Sequence, residues 1–160
     1  MTKVFLALHV VAAILAVGPV AVAASMFPPV LRRAQAEPGS TATLATLRVL
    51  HRICRVYAGV GVAVVVFGLL TAQSLGVLGD AWLIASMVLT AAAAVMLVVL
   101  LLPQQESGLA LVAEATSETA PVATDHRAGA RLAMVTGVFN LLWVTVTVLM
   151  IVRPGSTTGG

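Results

Sequence analysis

The residues of this 160-residue chain that could do metal or electron chemistry are three histidines, six methionines and one cysteine. His9 stands out among them. It sits inside "FLALHVVAAILAVGPVAVAAS", residues 5–25, a run that is otherwise almost wholly apolar. An ionisable residue in such a run is a functional candidate by default. As a helix, the run places His9 about 9 Å along from Lys3 and on one face with Ala12, Ala13, Ala16 and Ala23. So small a face turns toward neighbouring helices and away from lipid. A neutral imidazole in that setting suits a haem iron or a soft metal ion. The alternative use of the same ring is one hydrogen bond to an adjacent helix.

The other two histidines do not complete a bis-histidine site. His51 and His126 fall at the opposite ends of their helices, and His51 lies on the order of 20–25 Å from His9 along the bundle axis. Met87 and Met150 are better placed as a second ligand, because a thioether ligates both haem and Cu(I); as gap-filling core residues they need no such role. A b-type haem is thus the first cofactor candidate at His9 and copper the second. Cys54, the single cysteine, excludes an internal disulfide and reads as a packing residue.

Asn140 carries the one amide at mid-depth of the last apolar stretch. With Ala133, Thr136, Gly137 and Thr147 it forms a small, partly polar stripe. An amide in hydrocarbon needs a partner, and Ser86 or Thr90 is the expected one. A path for a small solute along the stripe is the alternative. Two basic sets complete the inventory. Arg48, Arg52 and Arg55 share one helical face at i, i+4 and i+7, and Arg127 and Arg131 repeat the i, i+4 spacing. Each anchors topology and attracts anionic lipid headgroups, or else docks an acidic partner. CxxC, HExxH, P-loop, GxSxG and EF-hand patterns are absent from the sequence. No pair of carboxylates falls in an apolar span. These absences argue against soluble-type hydrolysis and phosphoryl transfer.

The elements that position these residues follow from composition. The chain is 60% hydrophobic and 9% charged, where soluble domains carry about 25% charge. Its solvent is therefore lipid, and its formal net charge of +3 reflects arginines at helix ends and not nucleic-acid binding. Four stretches are long enough to span a bilayer: about 4–27, 56–73, 81–102 and 132–152. The first also resembles a signal peptide, with Lys3 ahead of it and an Ala21-x-Ala23 site. Its length opposes cleavage, and so do the five arginines that follow, which cleavage would carry across the membrane. With the first span retained and both termini outside, Arg32, Arg33, Arg48, Arg52, Arg55, Arg127 and Arg131 lie in the cytoplasm, and only Lys3 and Arg153 lie outside.

Breaks and seams refine this plan. Gly18-Pro19 predicts a kink in the first helix, and Pro28-Pro29 its end. Ser40 is placed to cap the second. Leu44, Leu47, His51, Cys54, Ala58, Gly61, Val65, Gly68 and Ala72 form one seam of period 3.5, so the second helix runs unbroken from a cytoplasmic extension at residue 41 to residue 73. The third helix stops at Pro103 and is followed by an acidic loop, 104–124. Asp125 can start the fourth, 126–152, which Pro154-Gly155 closes. The expected fold is an all-α bundle of four transmembrane helices in one domain, 1–160.

"LHVVAAILAVGPVAVAA", the arginine-bearing start of the second helix, "AGVGVAVVVFGLLTA" and "LMIVRPG" resemble a bacterial family of four-helix integral membrane proteins of unknown function. That family is distantly similar to copper-resistance D-type membrane proteins and to HemJ-type protoporphyrinogen oxidases, both of which open with a first-helix histidine in a Leu-His context. The resemblance implies a bacterial cytoplasmic membrane and, through the HemJ-type group, a b-type haem on His9. The third helix here has no lysine, which the HemJ-type site uses, so the resemblance extends to haem or copper at His9 and not to the oxidase activity. Three functions are then expected in turn: a small non-catalytic accessory component that packs on another membrane protein or on its own copy; a haem- or copper-binding protein using His9; and a small-solute transporter.

Overall fold

The computed structural model describes residues 2–37, 39–118 and 126–155. They form α1 (Thr2–Ala36), α2 (Thr41–Leu75), α3 (Ala81–Val95), a π-helical stretch (Met96–Leu101), α4 (Leu102–Glu118) and α5 (His126–Val152), with no strand among the described residues. α3, the π-helical stretch and α4 run on as one rod, so the fold is an all-α bundle of four rods. Each rod is long and apolar enough to cross a bilayer, and the chain is a multi-pass membrane protein. α1 and α2 make the most extensive contact; α3 and α1 lie against α5, and α4 lies mainly against α2. Large apolar residues such as Ile14, Leu141 and Ile151 face outward, as lipid-facing side chains must.

α1 does not end at Pro28-Pro29; both prolines and Pro19 lie inside a 35-residue helix. The reason is packing. Ala24, Phe27, Leu31 and Ala34 form a stripe at helical spacing across the prolines, and all four are buried in one cluster with Leu44, Leu47, Leu50 and Cys54 of α2 and Phe139 of α5. That stripe outweighs the backbone donors the prolines lack, and bilayer helices tolerate proline where neighbours surround it.

Pro103 does not end the third rod either. Residues 102–118, expected as the first part of an acidic loop, are helical. The burial pattern shows how. Ala93, Leu97, Leu101 and Gln105 are all buried at successive spacings of four residues. An α-helix would let such a row drift by roughly 120°. The π-helical stretch takes up the drift, and the amide of Leu102 accordingly donates to the carbonyl of Leu97, five residues back. The widened turn also brings Pro103 into the rod where its missing donor is best accommodated.

The seam of α2 holds from Leu44 to Gly61 and then shifts. Val64 is buried while Val65, expected on the seam, is 44% exposed. A 3.5-residue repeat slips by about 20° per heptad on a straight helix, and by the last third the buried face has moved to Val64, Gly68 and Thr71. Ser40 caps α2 as expected, its Oγ accepting from the Thr43 amide at 3.4 Å, and Gly76 closes the helix in the left-handed conformation at φ 71°. Asp125 lies outside the described residues.

Ser40→Ala is expected to cost about 1 kcal/mol of stability, and Ser40→Asp to leave it unchanged, in thermal unfolding of the detergent-solubilised protein. Equal behaviour of the two variants would show that the side-chain oxygen does not cap α2.

Candidate functional site

His9 reaches across from α1 to α2. Its Nδ1 lies 2.9 Å from the carbonyl oxygen of Val64. A carbonyl only accepts, so Nδ1 carries the proton and Nε2 keeps a free lone pair. The bond depends on Gly68, one turn beyond Val64 on the same face of α2. A Cβ at Gly68 would stand 2.9 Å from Cε1 and 3.0 Å from Nδ1 of His9, where no ring could remain. The small residue in the seam thus lets an imidazole approach the α2 backbone. Of the two expected second ligands, Met87 is 43% exposed. Met150 packs with Ala72, Trp82 and Leu83, one turn beyond Gly68 on α2. Among the described residues no three His, Cys, Asp or Glu side chains come together in a metal-binding group.

His51 lies 13 residues before Val64 on α2, about 20 Å by helical rise, which keeps it apart from His9. It belongs instead to a second polar locus. His51 Nδ1 is 3.3 Å from Oε1 of Gln105, whose Nε2 donates to Cys54 Sγ at 3.6 Å. Gln105 is fully buried. Sequence reasoning set Gln105 in a loop and gave it no role. The signal that would have found it is the four-residue spacing after Ala93, Leu97 and Leu101. Cys54 is buried as expected of a packing residue.

Asn140 binds a different partner from the two expected. Its Nδ2 donates to Ser25 Oγ of α1 at 3.0 Å, while Ser86 and Thr90 turn back onto carbonyls of α3. Asn140 Oδ1 is buried and has no hydrogen-bond partner. The stripe around it does not share one environment: Thr136 is buried and Thr147 exposed, each bonded to a carbonyl four residues back on its own helix.

Arg48, Arg52 and Arg55 are exposed on α2, and Arg127 and Arg131 on α5. Both sets lie at the end of the bundle where α1 finishes and α2 and α5 begin, as do Arg32 and Arg33. At the other end Arg153 places its guanidinium carbon 5.5 Å from the centre of the Trp82 ring, and the Trp82 indole donates to Asp80 at 3.0 Å.

No protein-family model, no curated protein and no solved structure matches the chain.

Gly68→Ala is expected to displace His9 and cost about 1–3 kcal/mol, the range for overpacking. In a His9→Ala background the same change is expected to be neutral, or stabilising by up to about 1 kcal/mol, because alanine is the better helix former. Unfolding free energies of the four proteins would test this, and additive effects would show that ring and glycine do not interact.

Proposed function

We propose that this chain is a small non-catalytic component of the bacterial cytoplasmic membrane. In this reading the first helix is retained, both termini lie outside, and the arginine-rich end of the bundle lies in the cytoplasm. The supporting observation is how the polar side chains of the spans are used. Thr71, Ser86, Thr90, Thr136, Thr145 and Thr147 each bond a carbonyl of their own helix, and His9 and Asn140 each bond a neighbouring helix. None is turned with others toward a shared space in which a substrate would be held. The polar groups serve packing between helices, as befits a subunit that works by contact with another membrane protein or a second copy.

The lengths of the rods agree with a cytoplasmic extension. α1 and α2 have 35 residues each, about 52 Å of helix against a hydrocarbon core of about 30 Å. The excess of α2 falls on the residues that carry Arg48 and Arg52.

One observation favours a second reading, in which His9 binds a b-type haem or copper. An imidazole held through Nδ1–H on a backbone carbonyl is oriented as metal-ligating histidines are, and its Nε2 would hold the metal. Such a group would supply electron transfer within the membrane. The resemblance of the first helix to the copper-resistance D-type and HemJ-type proteins points the same way.

Visible spectra and metal content of the purified protein, beside those of His9→Ala, separate the readings. The accessory reading expects no Soret band and no stoichiometric copper in either protein after expression with ample haem and copper, with His9→Ala less stable by about 0.6 kcal/mol or somewhat more. A Soret band or bound copper lost in the variant would replace it with the second reading. Orientation is tested independently. A cysteine at Glu114, exposed on α4, in a Cys54→Ala background is expected to react with an impermeant maleimide in inverted vesicles and not in intact cells. Labelling of intact cells would reverse the topology.

A further inference from the structure

A cavity of about 500 Å³ opens between the end of α1, the π-helical stretch with α4, and the start of α5. Its chemistry is graded along the bundle axis. On α5 the wall runs from Arg127 and Arg131 to Leu132, and on α1 from Gln35 to Leu31. On the third rod it runs from Gln104 and Ser107 to Val99 and Leu100. Each wall is thus polar toward the arginine end and apolar toward the middle of the bundle. The widened turn ahead of Pro103 contributes to the apolar part.

Charge makes the polar part specific. Arg127 and Arg131 stand one turn apart, and no carboxylate lines the cavity among the described residues. Arg131 is exposed and forms no ion pair with another described residue. The first turns of α5 add the positive end of a helix dipole. A cavity between membrane helices that is basic at one end and aliphatic at the other has the chemistry of an anionic lipid site.

We propose that this cavity binds one anionic glycerophospholipid. Its phosphate lies at Arg131 beside Arg127, and the first methylenes of one acyl chain lie along Val99, Leu100 and Leu132. A soluble anion would leave the apolar wall uncovered, and a neutral lipid would leave the guanidinium groups without a counter-charge. The proposal rests on the membrane placement of the bundle and is independent of any cofactor on His9.

The full-length, delipidated protein in mild detergent is titrated with phosphatidylglycerol, with phosphatidylcholine of the same chains, and with inorganic phosphate. Bound lipid is counted by native mass spectrometry. Phosphatidylglycerol is expected to bind with a stoichiometry of one and at least about fivefold more tightly than phosphatidylcholine, the effect of a single basic side chain at an anionic headgroup. Arg131→Gln is expected to remove that preference. Val99→Trp is expected to weaken binding while the charge is unchanged, and Arg48→Gln/Arg52→Gln to have no effect. Equal binding of the two lipids would overturn the proposal. So would an equal loss in the Arg48/Arg52 variant, which would show diffuse surface attraction. Phosphate that displaces the lipid, with Val99→Trp silent, would show an anion site that does not use the acyl chain. A haem adduct would appear as a separate mass, so the cofactor question and the lipid question fail separately.

Discussion

A bilayer core offers no water to a polar group, so each such group must find its partner inside the protein. That constraint explains why α1 and α2 approach each other as they do. A histidine in the first span needs an acceptor, and the nearest acceptors belong to the backbone of the next helix. Those carbonyls are already bonded within α2 and are screened by side chains. Gly68 removes the screen at one position, and the imidazole settles against the exposed Val64 carbonyl. The same constraint turns the span threonines and serines back onto their own helices and draws Asn140 to Ser25.

The buried residues are not spread evenly along the rods. The main cluster draws on the second half of α1, the first half of α2, the π-helical stretch with its flanks, and the first half of α5. The half nearer the termini holds only two small clusters, one around Ala12, Ala16 and Val64 and one around Ala72, Trp82 and Leu83. The driving forces explain the difference. Lipid tails solvate leucine as well as another helix does, so contacts within a bilayer rely on small residues and close backbones. Residues such as Leu31, Leu44, Leu47 and Val112 belong to the ends where the rods exceed the hydrocarbon thickness, and there burial away from water adds its own drive.

The four rods were legible in the sequence because hydrophobic length is a strong signal. The caps at Ser40 and Gly76 and the small seam of α2 follow from local rules that act within a few residues. The errors were at proline. Pro28, Pro29 and Pro103 were read as stops on backbone grounds, and each was overruled by a buried stripe that continues across it. That outcome depends on what packs opposite, which a single sequence does not display. At the candidate site, the importance of His9 was legible from its isolation, but its acceptor was not, because a backbone carbonyl leaves no mark in the residue types. Gln105 was missed for a related reason: its burial becomes visible only when the spacing of Ala93, Leu97 and Leu101 is extended past a proline.

The π-helical stretch has a consequence for how this chain tolerates length changes. A widened turn is equivalent to one residue inserted into an otherwise regular helix, and here it sets the rotational phase of everything after it in the rod. Removing one residue from 96–101 would restore an ordinary helix at little local cost, yet it would turn α4 by about 100° relative to α3. Gln105 would leave His51 and Cys54, and Gly108 would no longer lie against Leu31, whose methyls stand 3.0 and 3.3 Å from where its Cβ would be. The rod therefore has a counted length: its two halves are locked to different neighbours, and six apolar residues between them keep the two in step.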